Sequence, residues 1–209
     1  MEQLLREGHV YMNAVSYFSS LEDGSPRSDA DEGTAYARNA DGATLEMQQG
    51  DEWKMLGTLR GAVRFRDDEL LTANLYCLHG RTQADYNQAF ELNQLGFGDS
   101  YVLFLDANEF IRRLEEGVRR TGHRMSWGVV EYVDRHSYTG PMGVFRKFSE
   151  RAVDREVRVA VLPGSGGPLS LRLGNLSDIA MIGNTSDRLR LEPKSRPSNP
   201  QMEPTRADS

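Results

Sequence analysis

The amino-acid sequence predicts an α+β protein: a mixed, mainly antiparallel sheet system with one long amphipathic helix, about residues 107–121, packed on it. Three stretches carry that reading. Along 153–161, Val153, Val157, Val159 and Val161 fall on one parity and Asp154, Glu156, Arg158 and Ala160 on the other. A period of two with β-branched residues on one side is a strand whose valines face a core and whose charges face a cleft or solvent. The run YVLFLD at 101–106 reads as a buried strand, and Phe110, Ile111, Leu114 and Val118 after it recur at helical spacing. From Tyr36 to Leu78, short apolar pieces are separated by the turn signals Asp41-Gly42, Gly50-Asp51 and Arg60-Gly61, the pattern of a β meander. Strands and helices do not alternate regularly, which counts against a doubly wound nucleotide-binding fold.

Taken in order, residues 1–8 form a short helix through Leu4 and Leu5 that stops at Gly8, and HVYM at 9–12 is a short strand. Asn13 or Ser16 is placed to cap a turn of helix over SYFSSLE, with Tyr17, Phe18 and Leu21 as its apolar side. The segment 23–33, DGSPRSDADEG, holds turn formers and acids and almost nothing apolar, so a surface loop is expected. The meander's pieces are TLEM at 44–47, WKML at 53–56, AVRF at 62–65 and LTANLYCL at 71–78. Residues 80–98 read as an irregular or partly helical crossover anchored by Phe90, Leu92, Leu95 and Phe97. In the long helix, Asp106 or Asn108 caps the start, Glu109 and the pair Arg119 and Arg120 suit the two ends of the dipole, and Gly122 stops it. Glu115 with Arg119, and Glu116 with Arg120, are favourable neighbours four apart.

Beyond the helix, SWGVVEYV at 126–133 is a strand and FRKFSER at 145–151 a short helix or turn. PGSGGP at 163–168 reads as a hairpin turn rather than a phosphate loop, because no helix start follows it. LSLRLG at 169–174, IAMIG at 179–183 and RLRLE at 188–192 are three closing strands. Residues 1–192 are thus expected to form a single globular domain. The remainder, 193–209, holds proline and polar residues with one methionine, which cannot offset ordering entropy, so a disordered tail is expected.

Composition narrows the function. A chain of 209 residues with 38% hydrophobic content suits one domain, and a net charge of −6 argues against general nucleic-acid or membrane-surface binding. Arg112, Arg113, Arg119, Arg120 and Arg124 are the only basic row, and glutamates interrupt it. Cys77 is the sole cysteine, which excludes an internal disulfide and a cysteine-rich metal site and fits a reducing, cytoplasmic setting. No basic start followed by an apolar run opens the chain, and no window is long and apolar enough to cross a bilayer, so a soluble intracellular protein is expected.

Asp154 and Glu156, two apart on a strand, would lie about 7 Å from each other on one face. Two such acids divide acid, base or electrostatic roles when burial separates their pKa values, and Arg158 next in the row holds Glu156 ionised. The bland alternative is a solvated strand face. His9, His79, His123 and His136 lack the spacing of a metal site, so no metal is expected. His9, beside Tyr11 and Tyr17, is the histidine best placed to meet a ligand. Cys77 sits in an apolar strand and reads as inert core.

The order of these pieces is similar to a widespread bacterial domain family of unknown function. Its members carry an FNDPFE-like segment, a CFS-like strand end, a strand and helix, a V-x-Y strand and a K…E-x-E-x-R strand. Here the first falls on Asn13–Phe18 with Asp29 and Glu32, the second on Tyr76–Leu78, and the last on Lys147, Asp154, Glu156 and Arg158. The likeness spans roughly residues 8–162. Asp154 stands in place of the usual glutamate, LHG replaces a small hydroxyl after the aromatic, and a long acidic insertion replaces a compact FNDPFE. The same strand order resembles ADP-ribosyltransferase-like folds, in which an early Arg or His holds NAD, a middle residue lines the nicotinamide site and a late glutamate stabilises positive charge as the glycosidic bond opens. By position that implies His9 or Arg6 early, Tyr76–His79 in the middle and Glu156 late.

The function expected from the resemblance is therefore an NAD-using ADP-ribosyltransferase or NAD glycohydrolase, acting in phage defence or intercellular conflict. Glu156 and Asp154 would be its catalytic acids, and His9, Tyr11, Tyr76 and Arg158 its NAD contacts. The competing reading is a non-catalytic protein-binding or regulatory module that uses the charged strand and the acidic loop.

Overall fold

A computed structural model describes residues 1–21, 27–85, 87, 89–90, 96, 98–187, 189–190 and 192. In chain order its first half contains α1 (Glu2–Glu7), β1 (His9–Ala14), α2 (Val15–Ser20), β2 (Thr34–Asn39), β3 (Thr44–Gln49), β4 (Glu52–Thr58), β5 (Ala62–Arg66), α3 (Asp68–Thr72) and β6 (Asn74–His79). There follow β7 (Ala89–Phe90), β8 (Ser100–Phe104), α4 (Ala107–Arg120), β9 (Met125–Val129), β10 (Glu131–Val133), β11 (Gly140–Pro141) and β12 (Arg146–Phe148). A 3₁₀ turn (Ser149–Asp154) leads into β13 (Glu156–Val161), and β14 (Leu169–Arg172), β15 (Ala180–Asn184) and β16 (Leu189–Arg190) complete the set.

The fold class is α+β. Its principal sheet runs β14-β1-β6-β13-β9, every neighbour antiparallel. Beside it stand β11-β2-β5 and four two-stranded pairs, of which β10 with β12 is parallel. One face of the principal sheet carries Val10, Met12, Val159, Val161, Leu169 and Leu171, which meet Phe110, Leu114 and Val118 of α4 in the main core. Burial of those side chains is the largest stabilising term the fold has. The start of α4 is held by Asp106, whose carboxylate accepts from the Glu109 amide at 2.9 Å. Gly117 lets the helix close on the sheet, since a Cβ there would lie 2.6 Å from Leu173 Cδ2.

Tertiary contacts overrode several local expectations. The strand of residues 153–161 begins only at Glu156, because Arg155 takes a left-handed φ of 46° that ends the 3₁₀ turn. Val153 is consequently 66% exposed rather than core, and Asp154 is not on the strand. Both faces of β13 are covered, so its charged side is buried too. Asp29 and Glu32 are buried, although their segment has a surface-loop composition; residues 22–26 of that loop lie outside the described residues.

The expected meander is instead one long ribbon in which β2 pairs with β5 and β3 with β4, while β6 departs through α3 to join the principal sheet. Similarly, β8 is half-buried, pairs among the described residues only with β15, and is followed by the exposed Leu105. Buried Val130 divides the 126–133 strand into β9 and β10, and 146–148 is strand rather than helix. The start of α2 carries no side-chain cap.

Residues 163–168 are not a hairpin turn, because β14 lies three places from β13 in the sheet. Asn74, fully buried, holds that crossing: its Oδ1 accepts from the Ser165 amide at 2.9 Å and its Nδ2 donates to the Gly167 carbonyl at 2.6 Å. On α4, Arg112 pairs with Glu109 and Glu116, and Arg113 pairs with Glu109 and Asp178, in place of the expected pairings. The reach to Asp178 exists only in the folded chain. Leu92, Leu95 and Phe97 of the 80–98 crossover, the side chain of Phe90 and the tail 193–209 lie outside the described residues.

Val159 is fully buried and Val157 only partly. Val159→Ala should cost about 1–3 kcal/mol in urea-induced unfolding, and Val157→Ala distinctly less.

Candidate functional site

Register decides which side chains share the second face of the principal sheet. Glu156 pairs with His79, Arg158 with Cys77 and Ala160 with Leu75, while Leu75 pairs with Asn13 on its other side. Directly paired residues point the same way and neighbours along a strand point oppositely. Tyr11, Asn13, Cys77, His79, Glu156 and Arg158 therefore face away from α4.

Beneath this face lies a buried ion network. Lys147 donates to Glu156 Oε1 at 2.6 Å and pairs with Asp29 at 3.2 Å and Glu32 at 3.7 Å. Arg158, 1% exposed, donates through Nε to Glu156 Oε2 at 2.6 Å and grips both oxygens of Glu32 through Nη1 and Nη2, at 2.9 and 2.5 Å. Its Nη1 also donates to the Val144 carbonyl at 2.8 Å. The Glu156 amide donates to the Tyr132 hydroxyl at 2.9 Å. Burial pushes the Glu156 carboxyl up, but the charges and hydrogen bonds of Arg158 and Lys147 outweigh it and hold the group below its ordinary value. Burial and the nearby Arg158 push the Lys147 amine down, and Glu156, Glu32 and Asp29 more than restore it.

Over the outer part of the same face opens a cleft of about 410 Å³. Tyr11, Tyr17 and Phe18 give it aromatic walls, Arg27 a cation, and Cys77, His79, Asp154 and Glu156 its polar lining. His79 donates from Nδ1 to the Asp154 carbonyl at 2.9 Å, which leaves Nε2 as a lone-pair acceptor. Nε2 is buried and has no partner among the described residues, and burial holds the imidazole below its ordinary pKa and so neutral. Asp154 is half-buried at the end of the 3₁₀ turn, and that burial raises its carboxyl. Its carboxylate makes no ion pair or hydrogen bond among the described residues.

The residues singled out from the sequence are sorted by this geometry. Asp154 and Glu156 both line the cleft, but on different elements, and only Asp154 presents uncommitted oxygens. Tyr11 lines it and is 52% exposed. Tyr76 borders it, yet its ring belongs to the opposite face and packs on Phe110 with centroids 6.2 Å apart, so it does not offer the ring to a ligand there. Strand alternation is the reason: Tyr76 pairs with Val159, not Glu156. Arg158 lies under the cleft, sealed by Glu32 and Glu156, and is not a lining residue. His9 is also outside the lining; two residues along β1 from Tyr11, it bonds Ser170 Oγ at 2.7 Å.

His79, the last residue of the middle segment 76–79 that the resemblance implied, is the histidine of the cleft in place of His9. The cross-strand register with Glu156 puts it there, and that register is not visible without the partner strand. Arg27 carries no local sequence signal of a role. Cys77 opens on the cleft instead of into a core, although its thiol sits low enough that burial pushes it up to about 12. Among the described residues no group of three His, Cys, Asp or Glu side chains is arranged to hold a metal ion.

Asn13, Tyr17, Phe18, Cys77, Leu78 and Asp154 thus contribute to the cleft, and Asp29, Glu32, Lys147, Glu156 and Arg158 form the network under it. No family model matches the chain, and no curated protein or solved structure matches it either.

Removing one member of the network strands its partners. Arg158→Met leaves Glu32 and Glu156 buried with the Lys147 ammonium alone between them and should cost about 3–5 kcal/mol in urea unfolding. The pH dependence has a definite sign. Glu156 titrates lower in the folded protein than its ordinary 4.5, so its contribution is complete above that value and is lost as pH falls through the depressed folded value. Acid unfolding followed by circular dichroism should be less steep in Glu156→Gln over that window.

Proposed function

We propose that this chain cleaves the bond between ribose and nicotinamide in NAD, as a glycohydrolase or ADP-ribosyltransferase. The observation that carries this reading is the Asp154 carboxylate, half-buried in the cleft and unpaired among the described residues. When the glycosidic bond breaks, nicotinamide leaves neutral with the bonding electrons, and positive charge develops on the ribose. A carboxylate with no direct ion pair among the described residues, in a partly dry site, is complementary to that charge. Glu156, whose position in the strand order suggested that task, has both oxygens committed to cations. It is a positioning residue that anchors β13 beside the 3₁₀ turn.

The remaining lining fits the same ligand. Tyr11 and Tyr17 offer rings on which a planar heterocycle stacks, and Arg27 offers a cation to a diphosphate. Water, or the hydroxyl of an acceptor, releases a proton as it bonds to the ribose carbon. The competing reading, a protein-binding module, draws on the charged strand and the acidic loop, but Glu156, Arg158, Asp29 and Glu32 are buried in ion pairs and so are not offered to a partner.

Incubation of the purified chain with NAD, with released nicotinamide measured by chromatography, tests the proposal. Asp154→Asn should abolish release while leaving NAD binding measurable by calorimetry. The same substitution should leave stability at neutral pH unchanged or higher, because it removes a desolvated, unpaired charge. Tyr11→Ala should weaken NAD binding by about tenfold, the usual worth of one stacked base. Absence of NAD binding, or full turnover in Asp154→Asn, would discard the reading.

A further inference from the structure

The β3–β4 hairpin extends the β2–β5 ribbon through the Ala40–Gly61 and Gly42–Leu59 backbone bonds and pairs with no other strand among the described residues. Nearly every residue of it is exposed, and five are large and apolar: Leu45 at 45%, Met47 at 43%, Trp53 at 65%, Met55 at 59% and Leu56 at 52%. A two-stranded hairpin with no layer on it is marginal in water; Trp53 and Met55 share one of its faces and Met47, opposite Lys54, takes the other, and exposed apolar side chains so placed mark a contact surface. Its edges are also poorly guarded. Neither strand contains proline, and Lys54 is the single basic residue of the two. On the ribbon's other edge β2 is covered by β11, whereas β4 and β5 lie along the open one.

Register makes the open edge of β4 self-complementary. Gln49 and Glu52 flank the two-residue turn Gly50-Asp51 and exchange the closing backbone bonds, so Trp53 and Met55 turn their N–H and C=O groups outward. If a second β4 lies antiparallel with Trp53 opposite Trp53, Glu52 of each chain falls opposite Lys54 of the other. Met55 then meets Asp51, and the two indoles come together on one face. No other residue-centred register of β4 brings its one acid opposite its one base.

We infer that this hairpin is a docking surface for a second copy of the chain, formed by antiparallel pairing of two β4 edges about a two-fold axis at Trp53. The inference is independent of the cleft and of its ligand. The overlap spans only the outer part of the hairpin, which is the size of a weak, transient interface, so the dimer dissociates on dilution.

Sedimentation velocity of the full chain over a wide range of concentration tests it, with a reversible monomer–dimer equilibrium expected. Glu52→Lys and Lys54→Glu each set like charges face to face and should weaken the dimer at least about tenfold. The double exchange Glu52→Lys with Lys54→Glu restores opposite charges across the axis and should recover it. All these residues are exposed, so an unchanged thermal unfolding midpoint verifies that each variant folds. A monomer at every concentration, single reversals without effect, or a double exchange that fails to recover the dimer would each overturn the proposal.

Discussion

The bidentate grip of Arg158 on Glu32, completed by Glu156 and Lys147, is the interaction on which the second face of the sheet depends. Glu32 lies in the segment before β2, Lys147 on β12, and Glu156 and Arg158 on β13. No apolar contact would select these partners so narrowly, because buried charges tolerate only positions where each finds its counterpart. The network thereby sets where the acidic segment lies on the sheet, and so where the wall of the cleft stands. Lys147, Asp29 and Glu32 also border a second cavity of about 200 Å³, so the same charges separate two openings.

That arrangement explains why two acids close in sequence have different chemistry. Glu156 is saturated by cations and acts through the structure it holds. Asp154, just before the left-handed Arg155, feels the Lys147 charge but makes no ion pair among the described residues, and keeps its oxygens for the cleft. His79 is fixed by the Asp154 main chain, so the acid and the imidazole are positioned by one turn. The apolar face behind them is conventional by comparison, with α4 and the valines of β13 supplying a rigid support.

Elements whose sequence period matched a single environment were legible. Helix α4, with its cap at Asp106, and the valine side of β13 could be read from spacing alone, because one face of each meets the core. The stretch 23–33 could not, because its composition is that of a loop while two of its acids are consumed by cations distant in sequence. Nor could the place of Tyr76 or His9, since which face a strand residue takes is shared with neighbours that only pairing identifies.

By itself the sequence determined the fold class, the core-facing side of its main helix and strand, and the presence of a charged row at 154–158. Only the tertiary structure decided that this row splits, with Glu156 and Arg158 locked below the face and Asp154 open above it. The physical reason is that periodicity records an average environment, whereas the state of a buried charge depends on the particular ions that the folded chain brings within hydrogen-bonding distance.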